Sequence, residues 1–216
     1  MHIQTNFRAT NTAFPHLGVA GSDLLASMQP AAITLFDADA PIYVQGDAAS
    51  ALYMVEFGTV RITRITSDGR RQITGFLMAG DVFGFEVGDE HESSAESVDG
   101  AGIRVLRHVD GQESSPALLK MALKSLARTQ HQLVLLGCRS ANARMASFLI
   151  DLADRQGEDR CVHLPMQRND VADYLGMTFE TVSRSLRFLK DEGVIRLKTI
   201  SDIEILDRDA LEALGE

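Results

Sequence analysis

Glu180, Ser183, Arg184 and Arg187 fall at spacings that place them on one face of a helix. Their chemistry together is that of base-edge reading. An arginine can donate two parallel bonds to guanine O6 and N7, a glutamate can accept from cytosine N4, and a serine hydroxyl adapts to its neighbours. Val182, Leu186 and Leu189 follow i, i+4, i+7 spacing on the opposite side and predict a buried stripe. Upstream, Ala172 is small where two helices must approach closely, and Gly176 falls four residues later at a turn. Thr178 can N-cap the second helix through its hydroxyl, and Gly193 can end it. Residues 168–190 therefore read as helix, tight turn and helix, with the second helix fit for a DNA major groove. Arg168, Thr178, Arg187 and Lys198 are the candidates for backbone phosphate contacts around it.

Helix pairs with a glycine turn are common, and a charged outer face is often only a solvated one. The residues that follow favour the DNA reading. Val194–Lys198 and Ile203–Leu206 are short β-rich runs with Ser201-Asp202 between them, which predicts a hairpin wing beside the second helix. Arg184, Arg187, Lys190, Arg196 and Lys198 stand against only Asp191 and Glu192 in the same stretch, in a chain of formal net charge −9. An acidic protein that concentrates positive charge on one small surface suits specific duplex DNA better than any polyanion, because its remainder repels phosphate.

Composition narrows the alternatives. A chain of 216 residues with 45% hydrophobic residues fits one large globular domain or two small ones. No apolar run approaches the ~20 residues of a membrane helix. Met1 to Gln29 lack the basic and apolar blocks of a secretory signal, so a cytoplasmic location is expected. Cys138 and Cys161 form no CxxC and are expected to be free thiols, with Cys161, a few residues before the helix pair, a possible redox group. With no tryptophan and three tyrosines there is no stacking platform for single strands. The absence of a nucleophile elbow, an HExxH pair or a P-loop argues against an enzyme, and no cofactor or metal is expected.

These residues need elements to hold them. Residues 30–110 carry many glycines separated by short apolar runs, among them 33–36, 42–44, 52–55, 60–65, 72–77 and 103–106. Short strands between glycine turns predict an antiparallel sandwich or barrel, with Ser67-Asp68-Gly69-Arg70 as one turn. Ser115 as N-cap and Pro116 at the first position open a long helix running to Gly137. On it Leu119, Ala122, Leu126, Leu133 and Leu136 fit a heptad seam and predict a homodimer, since two-fold partners suit a palindromic site. Gly137-Cys138-Arg139-Ser140 is the expected hinge. Ser140 then caps a helix from Ala141 to Arg155, whose Met145, Phe148, Leu149 and Leu152 point to a C-terminal core.

This order of elements resembles the Crp/Fnr family of bacterial transcription regulators over nearly the whole chain. The most specific stretch is Tyr174-Leu-Gly-Met-Thr-Phe-Glu-Thr-Val-Ser-Arg, which looks like the FNR and FixK branch; Gly80-Asp81-Val82-Phe83-Gly84-Phe85 resembles its β-roll motif. The resemblance implies an α+β chain. An antiparallel β-roll of the cyclic-nucleotide-binding kind would span 1–114, a dimerisation helix 115–137 and a winged helix-turn-helix 138–216. It further implies a TTGA-type palindrome, with Arg184 reading guanine and Glu180 the cytosine side, and a role in low-oxygen or nitrogen-oxide metabolism. An activator's contact with RNA polymerase would fall on Asp68 and Arg70. Ser185 departs from the pattern, standing where the recognition helix is more often apolar.

The effector does not carry over. Cyclic-nucleotide binders of the family hold the phosphate with an Arg-Ser pair, whereas the corresponding stretch here is Glu92-Ser93-Ser94-Ala95-Glu96, whose acids would repel it. Iron–sulfur relatives need cysteines near the N-terminus, and residues 1–137 contain none. His16, His91, His108 and His131 leave haem as an alternative ligand. The alternative function is a small-molecule-sensing module whose C-terminal domain docks to DNA or protein.

Overall fold

A computed structural model describes residues 28–108 and 116–215, with side chains from 32 onward except those of His108 and Ala117. Ser115, the expected cap of the long helix, and His16 lie outside the described residues. The N-terminal part is an antiparallel sheet of β1 (Met28–Phe36), β2 (Pro41–Tyr43), β3 (Leu52–Ile65), β4 (Arg71–Leu77), β5 (Val82–Phe83) and β6 (Ser94–His108). β6 is its hub, pairing with β1, β2 and β3, while β4 and β5 pair with β3. Its inner face holds Tyr43, Val55, Val60, Leu77, Phe83, Ala95, Ala101 and Ile103 in one buried cluster.

The strands are fewer and longer than the glycine spacing predicts. Residues 52–55 and 60–65 belong to one 14-residue strand, and β6 runs for 15. Gly58, between two of the runs, sits at a bulge rather than in a turn. Register shifts fall between Val55 and Phe57 and between Gly58 and Val60, so β3 bends without ending. Gly58 has φ +80, and a Cβ there would stand 2.1 Å from the Gly100 carbonyl oxygen. The expected turn at 67–70 does form, with Gly69 at φ +78 between β3 and β4.

Helix α1 (Pro116–Gly137) has two apolar faces. Leu118 and Met121 pack on buried Met54, Val82 and Leu106 of the sheet, and Leu135 joins the C-terminal core. On the other face Leu119, Leu123, Leu126, Leu133 and Val134 are each more than half exposed. Ser140 accepts from the Ala143 amide at 3.0 Å and starts α2 (Ala141–Gln156), as its cap chemistry predicts. Met145, Phe148, Leu149 and Leu152 of α2 are all buried.

Four further elements surround α2: α3 (Arg168–Leu175), α4 (Phe179–Asp191), α5 (Arg208–Gly215) and a three-stranded sheet of β7 (Cys161–His163), β8 (Ile195–Leu197) and β9 (Asp202–Ile205). β8 and β9 are the expected wing hairpin, and β7 adds a third strand on the far edge of β9. That strand has only three residues, too short for its own pattern to announce it. The C-terminal core is continuous with the sheet domain, because Ile73 and Phe76 of β4 lie in the same buried cluster as Val171, Tyr174 and Leu189.

Candidate nucleic-acid interface

Local chemistry sets the angle between α3 and α4. α3 stops at Gly176, which adopts φ 61, ψ 43, a left-handed conformation natural to glycine. The Met177 amide then donates to the Ala172 carbonyl at 2.9 Å, closing the turn. Thr178 caps α4, its Oγ1 accepting from the Thr181 amide at 3.2 Å. Val182, Leu186 and Leu189 are buried, which fixes the rotation of α4 about its axis. Ser185 is buried with them, so a hydroxyl stands where an aliphatic side chain would add contact. The opposite face presents Glu180, Arg184 and Arg187 to solvent, with Ser183 half-buried at its edge.

The reading face is polarised. Glu180 sits in the first turn of α4, where its own backbone N–H and the Thr178 hydroxyl hold its carboxyl below the usual range. Arg184, one turn along, forms no ion pair among the described residues and is available to a base edge. A fixed carboxylate beside a guanidinium matches cytosine N4 next to guanine O6 and N7.

The four phosphate candidates are not equivalent. Thr178 is exposed at the start of α4, with its hydroxyl already engaged as the cap. Arg168 opens α3 and places Nη1 3.4 Å from Ser183 Oγ, while its Nε is buried without a partner among the described residues. Arg187 lies 3.7 Å from Asp191, and Arg196 and Lys198 share Glu204 at 2.7 and 3.5 Å. The local basic excess is therefore smaller than the residue count from 184 to 198 suggests, because Glu204 is brought in from the paired strand. At the tip of the wing, hydrogen bonds from His163 and Thr199 keep the Asp202 carboxyl low.

The remaining expected residues divide into separate surfaces. Leu119, Leu126 and Leu133 share the exposed face of α1, whereas Leu136 is half-buried and lies against the Gly176 turn. Asp68 and Arg70 stand exposed at the β3–β4 turn, paired with each other at 2.6 Å. Thr66 and Arg70 hydrogen-bond Asp68 and lower its carboxyl to about 2. Cys161 and Cys138 are half-buried free thiols. His91 is buried, its ring stacked on Tyr43 with centroids 3.7 Å apart and its Nδ1 3.3 Å from Glu86, while His131 faces Asp151. No group of three or more His, Cys, Asp or Glu side chains able to hold a metal occurs among the described residues. No described helix is long and apolar enough to cross a membrane.

Comparison with known proteins gives two domain matches. Residues 143–214 match the Crp-like helix-turn-helix domain, and residues 33–98 match the cyclic nucleotide-binding domain. The nitrogen fixation regulation protein FixK of Rhizobium meliloti is 42% identical over 217 residues, covering 99% of each chain. The solved structure of FixK2 from Bradyrhizobium japonicum superposes with a TM-score of 0.78 at 33% identity, covering 86% of this chain and 98% of that one. A CRP-family transcriptional regulator from Thermus thermophilus gives a TM-score of 0.72 at 27% identity, covering 84% and 96%.

A cyclic nucleotide does not fit the residues found here. A cavity of about 190 Å³ lies between the sheet domain, α1 and α2, lined by Tyr43, Glu86, Ser93, Arg128, Gln132 and Arg155 among others. Its two arginines share the buried carboxylate of Asp81 and Arg155 also pairs with Asp151 at 3.6 Å, so their two charges face two carboxylates of the protein itself. The acids named from sequence are not the reason: Glu92 pairs with Arg64 and Glu96 with Arg61, and neither lines the cavity. Glu86 and Asp151 are the carboxylates that do, and they disfavour an anionic ligand.

Proposed function

The chain belongs to the Crp/Fnr family of DNA-binding transcription regulators, and from that premise we propose that it is a homodimeric activator reading a TTGA-type palindrome. Glu180, Ser183 and Arg184 contact the bases, Arg184 on guanine and Glu180 on the cytosine side. Arg168, Thr178, Arg187 and Lys198 contact phosphates. The observation that carries this reading is the exposed Glu180–Arg184 face of α4, held outward by the buried Val182, Leu186 and Leu189.

Two copies pair through the exposed face of α1, with Leu119, Leu126 and Leu133 in the seam and Leu136 at its lower end. That pairing sets two recognition helices ~34 Å apart, as successive major grooves require. The functional units are a β-roll over 1–114, the dimer helix over 115–137 and the winged helix-turn-helix over 138–216. The protein works in the cytoplasm, and the FixK and fumarate and nitrate reduction names of its relatives suit genes of low-oxygen or nitrogen-oxide metabolism. RNA polymerase meets the Asp68–Arg70 turn. No catalytic role and no cofactor are assigned, and Cys161, a half-buried free thiol, is kept only as a secondary redox candidate.

The dimer binds DNA without an effector. Titrating a labelled palindrome with purified protein at several salt concentrations, with and without cyclic AMP, tests this directly. Binding should weaken steeply with salt and be unchanged by the nucleotide. A gain of about tenfold on adding cyclic AMP, roughly 1.4 kcal/mol of coupling, would overturn the effector-free reading.

A further inference from the structure

A heavily engaged charged group outside the reading face is Arg61 of β3, whose side chain is only 10% exposed. Its guanidinium meets three carboxylates from three parts of the chain: Asp39 at 2.8 Å, Glu96 at 2.8 Å and Asp170 at 3.0 Å. The first two belong to the sheet domain, but Asp170 lies in the first turn of α3, in the helix-turn-helix. Asp170 is itself buried, and its second oxygen is taken by Arg71 of β4. Arg71 also lies 3.7 Å from Asp173, one turn further along α3. Beside this cluster the rings of Phe76 and Tyr174 meet across the same boundary, with centroids 5.1 Å apart.

We propose that Asp170, Arg61 and Arg71 are positioning residues for DNA reading, a charged clamp through which the β-roll fixes the orientation of the recognition helix. A helix N-terminus could have satisfied a carboxylate with its own amides, yet both oxygens of Asp170 are given to arginines of the other domain. A buried carboxylate is costly unless it is paired and hydrogen-bonded, so the two domains hold each other in the single arrangement that satisfies it. α3 packs directly on α4, so an orientation imposed on Asp170 is passed to Glu180 and Arg184. The apolar contacts of Ile73 and Phe76 with the C-terminal core are non-directional, and the charged contacts add a fixed register to them; the hinge at 137–140 carries exposed Arg139, where looser docking can be read. The docked arrangement leaves the reading face open to solvent, so the clamp favours the DNA-ready form.

The test uses full-length Asp170→Asn, Arg71→Gln and the double variant. Asp170→Asn is chosen because Arg61 keeps Asp39 and Glu96 and remains neutralised. The result expected is an affinity for the palindrome about tenfold lower for Asp170→Asn, with dimer mass and base preference unchanged and faster tryptic cleavage at Arg139 in the absence of DNA. Arg71→Gln should shift affinity and cleavage in the same direction, and the double variant should lose less than the sum of the two. If Asp170→Asn does not melt cooperatively, Arg71→Gln decides alone. Unchanged affinity and cleavage, tighter binding, fully additive losses or an altered base preference would each overturn the clamp. Arg184→Ala, run in parallel, separates a failed clamp from a failed reading face, since only the latter leaves preference untouched in that variant.

Discussion

Arg184 and Glu180 show how much of the site a single helix turn can encode. Their side chains were legible in sequence because base recognition needs particular donors and acceptors, and the buried stripe at Val182, Leu186 and Leu189 fixed their side of the helix. Arg61 was not legible, because its partners lie 22, 35 and 109 residues away and no periodicity links them. Glu204 was missed for the same reason, and with it the neutralisation of Arg196 and Lys198. The low carboxyl of Glu180 makes a pH prediction. Its folded value lies below the ordinary 4.5, so the charge is fully present above that value and fades only as pH falls through the depressed one. The affinity ratio of wild type to Glu180→Gln should therefore be constant from roughly pH 6 to 8. A ratio that shrinks towards one at pH 6 would contradict the assignment. Gly58 is a second residue-scale test. Alanine there meets both a positive φ and the Gly100 carbonyl, so Gly58→Ala should lose on the order of 3 kcal/mol in thermal or denaturant unfolding. A loss under about 1 kcal/mol would mean that the bulge relaxes freely.

At the scale of elements, the long helix and the recognition segment were readable because caps and 3.6-residue periodicity are local signals. The sheet was read as antiparallel, but its third strand was cut at Gly58 and only 103–106 of its last was read as strand, because a glycine in a bulge and a glycine in a turn look alike in sequence. α1 carries a test of pairing. Leu126 is 53% exposed in one chain, an uncommon place for a leucine in line with Leu119 and Leu133. Leu126→Asp should sediment as a monomer and lose more than about tenfold in affinity for a palindrome. A dimer of normal mass would move the interface off this face. The β3–β4 turn carries a test of activation. Asp68 and Arg70 are exposed and held by each other, so replacing both with alanine should leave DNA affinity intact and reduce transcription from a target promoter. Equal losses in both assays would instead mark the turn as part of the DNA-binding fold.

Across the whole molecule, the sheet domain keeps the cyclic-nucleotide-binding fold while its cavity presents Glu86 and two arginines occupied by Asp81 and Asp151. Its remaining structural task is to carry α1 and to brace α3 through Asp170. That accounts for why an acidic chain can read DNA: most of its surface repels phosphate, and one small face, held from behind, does not. The most direct test of that account is selection of bound duplexes from a random pool by the purified full-length protein and by Arg184→Ala. The wild type should enrich a two-fold palindrome with one invariant guanine in each TTGA-like half, and Arg184→Ala should bind with ~1–3 kcal/mol less affinity and lose that guanine alone. Enrichment of a site without two-fold symmetry, or the same guanine retained by the variant, would contradict it.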